Sequence, residues 1–519
     1  MKKIISLALS GFSVFVSISA IAQTYAEEAL LFSRINPGGS ARIQAMGGSQ
    51  VALGGDYSSA FSNPAGLGFF NRSEATLSMG TNFYNSTSSY LGNSTNDSKS
   101  NFNIPGFSVV FHNDKNSGKL VSGNFALSFS RTNNFNQNFT YQGYNPDNSL
   151  IDYFIEQSNG EHPYDPNYYP SQFNDGGASQ YNLTALGYHN YLFGPMSEIN
   201  KGGDSSQYHT YFGAVPLQYE RVQTSGAQNQ FNISYGLNFN DSFYLGATVG
   251  FPSFNYRSQK TYSEAFPNVP NTLLGFDLNE DYTIKGSGIN TTIGAIFKPK
   301  DFIQLGFSVA TPTYFYSVAD NYSATMTSTW NNYSYVDITY PSNNRHLDGS
   351  YNYSLDQLIA NYTLTTPWRF KAGATLFIQK HGLITAEIEQ VNYGKSSLSS
   401  QTDGLDFTSD NQEIKSTYAN VINVRLGGEY RFGKYRARLG YSHMPDPYLA
   451  IQNNTDNSIN NYSAGLGYRT TKFFIDLGLI QSQWNSSYNP YTVYYHGQSP
   501  VVTLQNSNTN VMITVGINL

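Results

Sequence analysis

The most constraining feature of this 519-residue chain is a pattern that recurs fourteen times from Glu74 onward. Segments of about ten residues carry apolar side chains at every second position, with small or polar ones between. They are 74–83, 103–111, 121–130, 228–239, 243–254, 283–297, 302–310, 367–378, 382–393, 417–432, 435–444, 459–470, 472–484 and 509–518. A period of two places alternate side chains on opposite faces of a strand. After residue 22 no apolar run approaches the roughly 18 residues of a spanning helix. Strands of about 9–11 residues suffice for a tilted bilayer crossing.

The faces are consistent. Phe231, Ile233, Tyr235, Leu237 and Phe239 oppose Asn232, Ser234, Gly236 and Asn238, and Ile303, Leu305, Phe307 and Val309 oppose Gln304, Gly306 and Ser308. The last segment sets Val511, Ile513, Val515 and Ile517 against Thr514, Gly516 and Asn518. A soluble sandwich would alternate too, so the connections decide. Tight turns at 240–242, 298–301, 379–381, 433–434 and 470–471 alternate with long polar loops at 131–227, 255–282, 311–366, 394–416, 445–458 and 485–508. That asymmetry predicts an all-β fold, a 14-stranded antiparallel transmembrane β-barrel with both termini on the periplasmic side. Aromatics beside the short turns (Phe239, Phe243, Phe297, Phe302, Phe432, Tyr435, Phe473) predict a periplasmic girdle, with Tyr256, Tyr314, Tyr393 and Trp484 near the outer one.

Composition agrees once read by location. Charged residues are 12% and aromatic residues 15%, with Tyr 42, Phe 35 and Gly 46. A mean hydropathy of −0.40 excludes a bundle of membrane helices but not a barrel with a polar lumen. The net charge of −6 and the lack of a basic stripe exclude nucleic acid as a partner. With Cys 0 there is no disulfide framework and no thiolate metal site or nucleophile. Met1-Lys2-Lys3, an apolar stretch from Ile4 to Val16 and Ala20-Ile21-Ala22 read as a signal peptide over 1–22. The expected location is the outer membrane.

In strands eight to eleven Arg369, Lys371, Glu387, Glu389, Arg425, Glu429, Arg431, Arg436 and Arg438 lie opposite Phe370, Leu376, Ile384, Ile388, Val424, Leu426, Leu439 and Tyr441. A lipid-facing charge near the midplane costs about 2–4 kcal/mol, so these side chains are expected in the lumen. They either brace the wall and a plug, or bind an anionic headgroup in passage.

Residues 23–73 do not follow the strand pattern. Tyr25 to Phe32 predicts a short helix. The glycine-dense stretch 39–56 and Ser62-Asn63-Pro64-Ala65-Gly66 allow sharp turns and close backbone approach. Some fifty residues ahead of fourteen strands are the right size for a lumenal plug, followed by the barrel over 74–519.

Ala41-Arg42 before Met46-Gly47-Gly48, then Asp56 and Asn63-Pro64-Ala65, belong to this stretch. Further along come Leu364 to Phe370, Glu387 to Tyr393, Arg425 to Tyr430, and Arg438 to Tyr441 with Pro445 and Pro447. In their order and spacing these motifs resemble the outer-membrane long-chain fatty acid and hydrocarbon transporter family (FadL/TodX type), in its Bacteroidetes-like branch. The match is closest in the plug and the last seven strands. The resemblance implies a monomeric barrel whose hatch contains Arg42, Met46, Gly47, Gly48, Asp56, Asn63, Pro64 and Ala65. It implies capture of a hydrophobic small-molecule ligand by loops 255–282 and 311–366, a lumenal pocket, and lateral release into outer-membrane lipid beside a kinked third strand. It implies no cofactor.

Two other classes compete. An enzyme lacks support: the 8 His include no H-x-x-x-H pair, and there is neither G-x-S-x-G nor a Walker-type loop. His443 near Asp446, and Glu387 with Glu389, read as loop and lumen residues. The alternative is a barrel of this type acting as a protein-secretion shuttle or surface interaction protein. Loop 131–227, with Tyr164, Tyr168, Tyr169, Leu192 and Phe193, is longer than transport requires and would suit a partner.

Overall fold

The computed structural model describes residues 24–36, 38–161, 183–195, 208–210, 214–267, 272–336, 344–400 and 405–519. Residues 1–22, expected to be a signal peptide, and Tyr164, Tyr168 and Tyr169 lie outside them. Fourteen antiparallel strands form one closed wall. They are β1 (Glu74–Tyr90), β2 (Asn93–Ser117), β3 (Leu120–Asn134), β4 (Leu217–Phe239), β5 (Phe243–Ala265), β6 (Leu273–Lys300) and β7 (Ile303–Ala310). Then follow β8 (Arg369–Ile378), β9 (Gly382–Asn392), β10 (Asn420–Phe432), β11 (Tyr435–Met444), β12 (Ile459–Arg469), β13 (Phe473–Tyr488) and β14 (Val502–Asn518). Each pairs with its neighbour in the chain, and β1 pairs with β14 from Glu74↔Asn518 to Ser89↔Thr503. Closure leaves the wall no edge, the requirement for backbone crossing lipid. No described helix is long and apolar enough to cross.

The periplasmic turns are as short as the sequence suggests. Asn240 and Asp241 take φ of 52° and 54°, the left-handed pair that a two-residue hairpin turn requires and that Asn and Asp tolerate. Around the barrel the outward side chains are apolar, with Phe231, Ile293, Phe307, Ile384 and Leu439 among the exposed ones.

The extracellular side departs from expectation. Most of the predicted loops are strands. Within 255–282, residues 255–265 and 273–282 are the upper parts of β5 and β6, and 84–102 is the upper part of β1 and β2 with the turn between them. Within 311–366 the chain forms strands Tyr314–Val336, Asn344–Ser354 and Leu358–Thr365, the first of which pairs with upper β6. Loop 131–227 contributes strand Gln137–Tyr144, which pairs with upper β4, then helix Leu150–Glu161 and helix Leu183–His189. The period of two simply continues past the lipid. On β6 Phe276, Leu278 and Tyr282 point inward while Asp277, Asn279 and Asp281 face water. A polar outer face makes such a strand read as a loop.

The main hydrophobic core therefore lies in the extracellular half. It gathers Phe254, Phe276 and Phe315 from the strands, Phe154, Leu186 and Phe193 from the long loop, and Ala29 and Phe32 from the N-terminal segment. This also corrects the outer girdle. Tyr314 is exposed, but Tyr256 and Tyr393 are buried inside, and Trp484 lines the lumen. At their height the inward face packs against protein, with Tyr256 edge-on to Phe135 at 5.4 Å.

Candidate functional site

The N-terminal segment runs inside the wall from its extracellular end downward. Helix α1 (Tyr25–Ser33) starts at Thr24, whose Oγ1 accepts the Glu27 N–H at 3.3 Å. Its Glu28 accepts hydrogen bonds from the Tyr282 and Tyr362 hydroxyls. Arg34 donates to the carbonyls of Pro445 and Asn457 beyond β11. The chain then descends through α2 (Ala41–Gln44) and α3 (Ser59–Ser62) to a 3₁₀ turn at Pro64–Phe69, and enters β1.

The motif residues meet the wall where it carries glycine. Gly47 has φ of 68°, and a Cβ there would come within 2.6 Å of the Tyr441 carbonyl and 2.7 Å of that of Leu426. A Cβ on Gly440 would strike Gly47, one on Gly427 would approach the Met46 carbonyl at 2.5 Å, and one on Gly246 would strike Pro64. The seat needs missing side chains on both partners. Gly48 likewise has positive φ, 77°. Met46 packs with Ile43, Leu53 and Leu383, and Ala65 with Tyr244 and Ile296. Asn63 Nδ2 donates to the carbonyls of Val51 (2.6 Å) and Ala295 (3.2 Å), while its Oδ1 accepts the Ala65 N–H. Asp56 accepts from Ser40 Oγ and Ser58 Oγ, both at 2.7 Å.

The inward charges form two lattices. In one, Arg425 bonds Glu387 at 2.7 Å and Glu389 at 2.6 Å, with Arg369 and Lys371 3.2 and 3.7 Å from Glu389. In the other, Glu429 is shared by Arg438 (2.8 Å), Arg431 (2.7 Å) and Arg42 (3.7 Å), and Arg42 is 3.9 Å from Asp56. Asp476 extends this second group, 2.6 Å from Arg438 and 3.5 Å from Arg469. Asp476 and Arg469 were not among the sequence candidates, although one acid inside Phe473-Phe474-Ile475-Asp476-Leu477 was a visible signal. Arg436 joins neither lattice, because its guanidinium donates to the Gly433 and Tyr435 carbonyls at the turn.

Above the seat lies a cavity of about 930 Å³. None of the charged wall candidates lines it; Arg369 and Lys371 border only a void of about 30 Å³. Tyrosines far apart in sequence dominate one side, among them Tyr256, Tyr322, Tyr418 and Tyr488. Of these only Tyr256 stands out in the sequence, and there as a girdle residue, because no local motif links the four. The long loop closes the top. Tyr153 and Gln157 of α4 (Leu150–Glu161) line the cavity, and Glu156 accepts the N–H groups of Tyr494, Tyr495 and His496. Burial would raise the Glu156 carboxyl, but these bonds outweigh it and hold it below the usual carboxylate range.

On one flank of the cavity the wall is incompletely paired. The β2–β3 ladder runs upward only to Gly106↔Ser130. Pro105 has no N–H to give, and β2 bulges between its Gly106 and Asn103 pairs with β1. Opposite, β3 is irregular between Arg131 and Asn133. The family resemblance implies a kink in the third strand; here the irregularity involves both β2 and β3. Pro105, Asn103 and residues 131–137, on the two sides of this interruption, all line the cavity. The two sides meet again higher up, where Asp97 accepts the Thr140 N–H at 2.7 Å.

No family model matches the sequence, and no curated protein matches it. Solved structures do. A FadL homologue of Pseudomonas aeruginosa superposes with a TM-score of 0.52 at 13% identity, covering 93% of this chain and 99% of that one. The toluene transporter TodX of Pseudomonas putida superposes with a TM-score of 0.51 at 11% identity, with 93% and 99% covered. With a closed fourteen-stranded wall and a lipid-facing apolar band, this chain has the fold of the FadL/TodX-type outer-membrane transporters.

Proposed function

We propose that this protein takes up hydrophobic small molecules across the outer membrane, with residues 24–73 as the hatch. The ligand enters beneath the α4 cap, rests in the cavity against α1, and leaves sideways between β2 and β3. The observation that supports this reading is a coincidence of place: the cavity abuts the stretch above Gly106↔Ser130 where β2 and β3 lose their ladder. The hatch fills the barrel below, so a solute in the cavity has no straight path to the periplasm. A hydrophobic solute that reaches the bilayer sideways also avoids a water-filled pore. The charge lattices then serve as braces between wall and hatch. Helix α4 of loop 131–227 folds inward over the cavity and the helix Leu183–His189 packs into the core, which favours transport over a free partner-binding loop.

The test is chemical. Protein extracted in mild detergent should carry an amphiphilic or hydrophobic compound that organic extraction and mass spectrometry identify. Protein that consistently copurifies with another polypeptide and no such compound would instead support the shuttle.

A further inference from the structure

The cavity has two unlike walls. Its α1 side presents Leu30, Leu31, Tyr256, Tyr322, Tyr418 and Tyr448. The side built by β1, β2, β12 and β14 presents Asn82, Asn103, Asn461, Asn508 and Asn510. The Oδ1 atoms of Asn508 and Asn510 are buried and accept no hydrogen bond. These two oxygens face the wall and not the cavity; a bare hydrocarbon placed there would instead strip water from the amide groups of this wall that do open onto the cavity, which a site of this kind penalises strongly.

The lining charges do not suit an anion either. Glu27, Glu280 and Glu413 face Arg34, Arg131 and Lys260, three of each sign. Arg34 is engaged by the Pro445 and Asn457 carbonyls, Arg131 donates to Asn229 Oδ1, and Lys260 lies over the Tyr488 ring at 5.3 Å. A carboxylate entering here would be desolvated without a surplus cation to meet it.

Building on the uptake reading, we propose that the ligand is an uncharged amphiphile, whose apolar body lies along the tyrosine wall and whose hydroxyl or amide groups meet the asparagine wall. Three probes with the same chain length separate the classes: 1-monopalmitoylglycerol, palmitate and hexadecane. Native mass spectrometry of the detergent-solubilised full chain reads their binding, and the Asn508→Leu/Asn510→Leu variant corrects for partition into micelles. The glycerol ester should bind at least about tenfold more tightly than either other probe. The variant should lose about tenfold for the ester while keeping or gaining hexadecane. Palmitate or hexadecane binding as well as the ester, or a variant that weakens all three alike, overturns the proposal and leaves uptake standing. Binding of none of the three overturns the uptake reading and this inference with it. Heat-modifiable gel mobility reports whether the variant folds; if it does not, the order of the three probes on the unmodified protein decides.

Discussion

Glu387 on β9 is tied to the backbone of Gln50: its Oε2 accepts the Gln50 N–H at 2.8 Å, and the Val51 N–H at 2.9 Å. Its other oxygen holds Arg425 at 2.7 Å. One wall carboxylate thus fixes a hatch turn and neutralises a buried guanidinium. Glu387→Ala removes both and leaves Arg425 with Glu389 as its remaining carboxylate. Breaking one partner of a buried pair costs about 3–5 kcal/mol. Hydrogen exchange should speed up at residues 49–53 far more than in β9 itself. Equal change in both would mean that Glu387 stabilises the wall and not the hatch.

The second prediction concerns the glycine seat. A side chain on Gly440 collides with Gly47, so Gly440→Val should displace the hatch while the fourteen-stranded ladder stays intact. Deleting residues 24–60 should act in the same direction and further. Both variants should keep the heat-modifiable mobility of a folded barrel and raise ion conductance in planar bilayers. A folded variant with unchanged conductance would show that this segment does not block the lumen.

How legible this was in the sequence depends on what each element is made of. The lower wall was legible because lipid forces one face to be apolar: Phe231, Ile233 and Tyr235 have no other reason to alternate with Asn232 and Ser234. The upper wall was not, because there both faces are free of that demand, and Asp277-Leu278-Asn279 resembles a loop in hydropathy. The inward charges were legible for the same reason as the lower wall, since Glu387 and Glu389 alternate with Ile388 and lipid excludes them. Their partners in the hatch could not be read, because the contact of Arg42 with Glu429 depends on how the 386 intervening residues close the barrel. The interruption beside β3 did leave a trace. Pro105-Gly106 inside an otherwise regular strand marks a place where a ladder fails.

The third prediction is a pH dependence. Burial, opposed by the Tyr282 and Tyr362 hydroxyls, raises the Glu28 carboxyl from 4.5 to about 8. These contacts lie beyond the lipid band, since Lys285 on β6 already faces water below Tyr282. The docked helix binds more protons than the undocked one between those values. Docking is therefore strongest below pH 4.5 and weakens as pH rises through 8. Tyrosine hydroxyls both donate and accept, so they hold the protonated acid as well. Amide exchange over 24–34 should accelerate between pH 6 and about 9, after correction for intrinsic rates, and Glu28→Gln should flatten that dependence. An unchanged slope in the variant would locate the titrating group elsewhere.

The last prediction addresses the exit. Asn134 Nδ2 of β3 reaches Asn101 Oδ1 of β2 at 3.3 Å, across the stretch where the backbone ladder is missing. This side-chain contact is weaker than the paired backbone beneath it, and on the proposed route a passing ligand would open it. The chain has Cys 0, so Asn101→Cys with Asn134→Cys introduces a single possible disulfide. Oxidation would then fasten β2 to β3 above the last ladder pair. Loading of the cavity from the extracellular side should continue, because the α4 cap is untouched. Transfer of the copurifying compound from reconstituted protein into the surrounding bilayer should fall at least about tenfold and recover on reduction, as expected for a gate held by a covalent bond. If oxidised protein transfers at the unmodified rate, the compound leaves by another route, and the β2–β3 interruption is a structural bend without a role in release.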